Sequence, residues 1–176
     1  SFPKSPVYSK FLLSDQDNIE EGQVFSTDAR GEPATWESIE TEDKSEFRDD
    51  GLRSGYLYLE YHADKPLTVL FEASGHTMAL INGLPHEGDH YDYGWSLIPV
   101  RLRKGKNVFV LEGGRFQRMR ARLIEPGSVV SLTTRDMTLP DLLVEENEAL
   151  WGAIRIVNAG SSWFEDFALE DFLYPG

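Results

Sequence analysis

The sequence predicts an all-β chain built as a sandwich or barrel. Three observations carry this: apolar residues alternate with period two in several runs beyond Gly55, turn-forming residues separate those runs at short, regular intervals, and no segment sustains helical spacing. Period two places successive side chains on opposite faces of a strand, one for the core and one for solvent.

Tyr8-Ser9-Lys10-Phe11-Leu12-Leu13 reads as a first strand, and the polar span Ser26-Thr27-Asp28-Ala29-Arg30-Gly31-Glu32-Pro33 as a loop. Thr35-Trp36-Glu37-Ser38-Ile39-Glu40 alternates as a half-buried strand with Trp36 in the core. In Tyr56-Leu57-Tyr58-Leu59-Glu60-Tyr61-His62, the residues Leu57, Leu59 and Tyr61 share one face and Tyr56, Tyr58, Glu60 and His62 the other. Asp64-Lys65-Pro66 turns the chain into a strand that points Leu67, Val69, Phe71 and Ala73 inward; Ser74-Gly75-His76 turns it again. Thr77-Met78-Ala79-Leu80-Ile81 follows. It ends in Asn82-Gly83, a favoured pair for a two-residue type I′ hairpin because both positions tolerate positive φ.

A loop rich in glycine, aspartate and aromatics then runs to Trp95, before Leu97-Ile98-Pro99-Val100-Arg101-Leu102, the tight turn Lys104-Gly105-Lys106-Asn107 and the apolar run Val108-Phe109-Val110-Leu111. Arg118-Met119-Arg120-Ala121-Arg122-Leu123-Ile124 closes the first module, with Met119, Ala121 and Leu123 inside and the arginines outside. Glu125-Pro126-Gly127-Ser128 reads as a linker, since Pro removes a ladder donor and Gly permits a turn. The expected division is therefore a β-sandwich over residues 1–126, then strands of a second, incomplete β-module, or extra docked strands, over 127–176. In the latter, Trp151-Gly152-Ala153-Ile154-Arg155-Ile156-Val157-Asn158 is strand-like, Ala159-Gly160-Ser161-Ser162 a hairpin turn, and residues 163–169 its return. Roughly fifty residues are too few for an independent sandwich.

A formal net charge of −13 argues against nucleic acid and anionic membrane as partners, since both need a cationic surface. The charge is unevenly distributed. From Arg101 to Arg122 there are eight cations against the one acid Glu112, whereas 127–176 holds nine acids against Arg135 and Arg155. A basic stretch of this kind is ordinarily a solvated strand face; the sharper expectation is a seam between the modules, with burial of Trp151, Ile154, Ile156, Trp163 and Phe167 supplying the attachment. With no cysteine, disulfides, thiolate metal sites and a cysteine nucleophile are excluded. No apolar run is long enough for a membrane helix, and Ser1-Phe2-Pro3-Lys4-Ser5-Pro6 lacks the apolar stretch of a secretion signal.

Taken in order, Gly55-Tyr56-Leu57-Tyr58, Ala79-Leu80-Ile81-Asn82-Gly83, Gly88-Asp89-His90-Tyr91-Asp92-Tyr93-Gly94 and the strand Ile98-Pro99-Val100-Arg101-Leu102 with its Lys104-Gly105-Lys106-Asn107 turn resemble galactose-binding-like jelly-roll domains. The run Thr138-Leu139-Pro140-Asp141-Leu142-Leu143-Val144 with Trp151-Gly152-Ala153-Ile154 is similar to the junction after such a module in large bacterial hydrolases of the prolyl-oligopeptidase and esterase type. This resemblance covers about residues 35–160. It implies a galactose-binding-like jelly-roll β-sandwich that acts as a non-catalytic accessory domain of a periplasmic or secreted hydrolase, of that type or a glycoside hydrolase. The chain itself is then no enzyme, and its partner is a catalytic domain in the parent protein.

The residues suggest one binding surface. Tyr91, Tyr93 and Trp95 alternate on one side of an extended segment, flanked by Asp89, His90 and Asp92, and Arg115 lies at the same loop end. Aromatic faces stack on the apolar faces of sugars while carboxylates and imidazoles bond to hydroxyls, so the expected ligand is carbohydrate, bound by Asp89, His90, Tyr91, Tyr93, Trp95 and Arg115. The competing expectation is that the three rings fold back to cover the end of the sandwich or an interdomain groove. A third is a small metal-dependent β-barrel enzyme using His86 and His90; Pro85 and Gly88 deny the pair a helix, so no transition metal is expected there. Gly160-Ser161-Ser162 is no nucleophile elbow. No cofactor is predicted beyond a structural calcium at the acids between Asp43 and Asp50, as in some domains of this type.

Overall fold

The computed structural model describes residues 19–27, 31–43, 45–89, 91–141 and 149–163. Thirteen strands fill most of that length: β1 (Val24–Thr27), β2 (Pro33–Thr35), β3 (Thr41–Asp43), β4 (Glu46–Arg48), β5 (Tyr56–Ala63), β6 (Leu67–Ser74), β7 (His76–Ile81), β8 (Leu84–Glu87), β9 (Leu97–Leu102), β10 (Gly105–Gly113), β11 (Arg118–Ile124), β12 (Val130–Thr138) and β13 (Ala153–Asn158). The one helical element described is a 3₁₀ turn over Asp50–Leu52, where the Asp49 carboxylate accepts the Gly51 amide at 2.7 Å. No helix among the described residues is long and apolar enough to cross a membrane.

Two antiparallel sheets share the main core, one ordered β5-β10-β7-β8 and the other β3-β4-β11-β6-β9. They pack face to face as in a β-sandwich: Phe71 of β6 meets Phe109 of β10 with ring centroids 5.2 Å apart. The inward residues anticipated on β6 and β11 are there, Val69, Phe71, Ala73, Met119 and Ala121 all being buried and Leu67 and Leu123 packed beside them. β10 is apolar on both faces for a tertiary reason. Phe109 and Leu111 enter the main core, whereas Val108 and Val110 join Leu80 in a second cluster covered by Phe25, Trp36, Tyr56, Tyr58 and Met78. Trp36 thus packs outside the main core, 5.1 Å from Phe25, and the strand anticipated over Thr35–Glu40 stops at Thr35.

The predicted Asn82-Gly83 turn forms with the expected geometry. Asn82 and Gly83 take φ of +49° and +82° between paired Ile81 and Leu84. At the turn before β10, the buried Asn107 side chain accepts the Arg103 amide at 3.0 Å and the Asn82 side-chain amide at 2.9 Å, and donates to the Arg103 and Gly105 carbonyls. Gly75, at φ +80°, carries the chain from β6 in one sheet directly to β7 in the other.

Beyond Pro126 the organisation differs from the sequence reading. β13 pairs with β12, a strand the sequence reading did not identify, and the return strand expected after Ser162 falls on residues 164–169, outside those described, as do 8–13 and Phe167. Register slips between Thr133 and Thr138, where Asp136 takes φ +56°. Val157 is buried, but Trp151 is 89% and Trp163 95% exposed, and Ile154 and Ile156 are also exposed; the anticipated apolar attachment through these four is not made. Seven of the nine acids expected at the charge seam, those within 142–148 and 164–176, lie outside the described residues. Arg118, Arg120 and Arg122 pair within their own module, with Asp92, Glu46 and Glu72, while Arg135 and Arg155 of the second module reach back to Glu72 and Glu87 of the first.

Candidate functional site

The segment between β8 and β9 forms the decorated loop, and its base is tightly packed. A Cβ on Gly88 would lie 2.2 Å from the Thr77 carbonyl carbon and 2.7 Å from the His76 oxygen, so only glycine fits there. Asp89 follows, buried. Its backbone carbonyl accepts the amides of Gly75 and Asp92, at 2.9 and 3.1 Å. One side-chain oxygen accepts the Tyr93 amide at 3.0 Å and the other the Trp95 amide at 2.7 Å. Asp92 takes φ +61° and turns its carboxylate inward, where the Ser74 hydroxyl donates to it at 2.7 Å and Arg118 pairs with it. The two aspartates therefore hold the loop from beneath.

Above them the aromatic side chains stand in a row. Tyr91 and Tyr93 stack with centroids 5.6 Å apart and planes 26° apart, and Tyr93 meets Trp95 at 4.5 Å and 37°. Exposures of 50%, 59% and 44% mean that the row contacts solvent along its whole length. The Arg115 guanidinium, from the β10–β11 connection, lies 5.5 Å from the Tyr91 ring and 4.9 Å from Phe116. Rings at these separations partly cover one another, so the row is a stack more than the platform of open faces that the sequence suggests.

The β12–β13 pair touches the same loop. Arg135 donates to the Gly94 carbonyl at 3.1 Å and pairs with Glu72 of β6; Arg155 donates to the Trp95 carbonyl at 3.0 Å and pairs with Glu87 of β8. Beside this joint, β8, β9 and β13 line a groove of about 370 Å³ that includes His86, Leu97, Pro99 and Ile156. Burial lowers the pKa of His86. His76, at the start of β7, has no exposed surface, and neither ring nitrogen has a well-formed hydrogen-bond partner among the described residues. Burial pushes its pKa down to about 4, against the weaker opposing pull of the Asp89 carboxylate and the Glu87 carbonyl.

The fold thus gathers Tyr91, Tyr93, Trp95 and Arg115 on one surface. Asp89 belongs beneath it: with each side-chain oxygen bonded to a loop amide, it positions the rings and is not turned to a ligand. His90 lies outside the described residues. Among the described residues no three His, Asp or Glu side chains converge to hold a metal. Of the acids proposed for calcium, Glu46 pairs with Arg48 and Arg120, Asp49 accepts from Gly51 and Asp50 from Gln117, while the Asp43 side chain lies outside those described. A larger groove of about 660 Å³ lies elsewhere, lined by Phe25, Trp36, Tyr56 and Tyr58, and contains none of the loop's side chains.

The sequence reading missed His76, Arg118, Arg135 and Arg155. Arg155 left a trace, as a lone cation between Ile154 and Ile156 in an apolar strand; Arg135 left none, because nothing local links it to Gly94, 41 positions away. Compared with known protein families, with characterised proteins and with solved structures, the chain matches none of them at a significant level.

Proposed function

We propose that this chain is a non-catalytic accessory β-sandwich module of the galactose-binding-like jelly-roll type, part of a larger periplasmic or secreted hydrolase whose catalytic domain it braces or supplies with substrate. The observation that carries this reading is the aromatic row itself. A buried carboxylate and a second, inward-turned one hold three rings out in solvent, and exposed contiguous aromatics of this kind mark recognition surfaces more than stability. The loop's acids serve as structural acceptors, which suits a binding module better than an acid–base catalyst. The net charge of −13 keeps nucleic acid and anionic membrane out of the partner set.

A second reading, carbohydrate binding by the module in its own right, is favoured by the exposure of Tyr91, Tyr93 and Trp95 and by the adjacent Arg115. Sugar hydroxyls suit the guanidinium, and sugar C–H groups suit exposed aromatic surface. The test is a glycan array probed with the wild type and with Trp95→Ala. Binding that is lost in a variant of unchanged fold supports this second reading; a wild type that binds no glycan leaves the bracing role. The accessory reading itself is overturned if the purified chain hydrolyses ester, peptide or glycoside substrates.

A further inference from the structure

The recognition loop is gripped from two modules at once. Trp95 has its amide held by Asp89 of the first module, at 2.7 Å, and its carbonyl held by Arg155 of the β12–β13 pair, at 3.0 Å. The preceding carbonyl, Gly94, is held by Arg135 of the same pair at 3.1 Å. Gly94 and Asp92 both take positive φ, so the backbone reverses sharply just where the last ring of the row is placed.

We propose that the β12–β13 pair is part of the recognition surface, Arg135 and Arg155 being positioning residues that set the Tyr93–Trp95 end of the row, so that occupation of the surface and seating of the second module are coupled. This deepens the accessory-module reading and rests on it for the word recognition; the mechanical coupling stands on the hydrogen bonds alone. Each guanidinium bridges two groups, donating through one nitrogen to a loop carbonyl and through another to a carboxylate on the strand beside it, Glu72 for Arg135 and Glu87 for Arg155. The planar fork of arginine reaches the two partners from separate nitrogens, whereas a lysine would have to bond both from its single ammonium nitrogen.

The seating is also suited to reversal. Of the described residues in β12 and β13 only Val157 is buried, while Leu132, Ile154 and Ile156 are exposed, so few apolar contacts oppose separation. Coupling of this kind is reciprocal: a partner that fixes the rings holds the second module down, and a catalytic domain that draws the second module away loosens the rings.

The test uses the full chain without ligand, so a failure to find any glycan leaves its outcome unaffected. Amide hydrogen exchange is compared between wild type and the double variant Arg135→Lys, Arg155→Lys, which keeps both charges. The expected result is exchange of the Tyr93 and Trp95 amides faster by about tenfold, within the usual range of coupling between sites, with amides of β6, β10 and β11 unchanged. The control is Arg122→Lys, which alters the other partner of Glu72 without touching a loop carbonyl and should leave the Tyr93 and Trp95 amides as they are. Unchanged loop amides in the double variant, or an equal acceleration throughout the core, would overturn the proposal.

Discussion

The Asp89 carboxylate accepts the Trp95 backbone amide at 2.7 Å, although Trp95 as a residue is 44% exposed. A buried charge thus holds the backbone of a solvent-facing aromatic. Charged acceptors of backbone amides make the stronger class of hydrogen bond, and the arrangement rigidifies an exposed apolar surface that would otherwise be free to collapse.

Asp89→Asn should loosen the loop without unfolding the sandwich. The amide side chain keeps one acceptor oxygen and turns an NH₂ group toward the second backbone N–H. We expect a loss of about 2 kcal/mol, read by urea unfolding, with exchange at Tyr93 or Trp95 accelerating beyond that of core amides. Equal stability and unchanged loop exchange would refute the role assigned to Asp89.

Gly88→Ala tests the base of the loop. A Cβ only 2.2 Å from the Thr77 backbone cannot be accommodated by rotating a side chain, so β7 and the loop must separate. The expected cost exceeds about 2 kcal/mol, with the near-ultraviolet dichroism of the ring row reduced. A variant that melts like the wild type would show that the approach relaxes freely.

His76 makes stability depend on pH in a defined direction. The folded chain binds its proton at about 4 and the unfolded chain near the ordinary 6.5, so between these values the unfolded state holds more protons. Stability is complete above about pH 6.5 and falls as the pH drops toward 4; His86, also lowered by burial, adds to the same slope. His76→Leu removes an imidazole without well-formed partners, so it should keep its stability at pH 7 and show a shallower loss between pH 6.5 and 4.5. Parallel pH profiles for the two proteins would rule His76 out as the source.

Asn107→Ala should be among the most damaging changes at a polar position. It removes the acceptor of the Arg103 and Asn82 N–H groups and the donor to the carbonyls of Tyr61, Arg103 and Gly105, at a site with no exposed surface. The expected loss is about 3 kcal/mol, measured by thermal or urea unfolding. A loss below a third of that would mean that water replaces the side chain.

The core strands were legible in the sequence because their signal is local. Val69, Phe71 and Ala73 alternate along β6, and Met119 and Ala121 along β11, wherever the partner strands happen to lie. Asn82-Gly83 was legible for the same reason, since its positive φ values are a property of two adjacent residues. β12 was harder to read: Ser, Thr, Arg and Asp interrupt its apolar positions, and its register breaks at Asp136.

By itself the sequence determined the all-β class, the turns and the gathering of three aromatics on one side of the loop, all of which depend on neighbours a few positions apart. Only the tertiary structure decided which groups the aspartates serve. It turned Asp89 and Asp92 inward, brought Arg115 over Tyr91, and set Arg135 and Arg155 against carbonyls 41 and 60 positions away. It also paired the arginines of β11 with Asp92, Glu46 and Glu72, none of them a sequence neighbour. A count of charges along a chain fixes their sum, but ion pairs form between the groups that strand register brings within about 4 Å, where their attraction outweighs that of distant, screened charges.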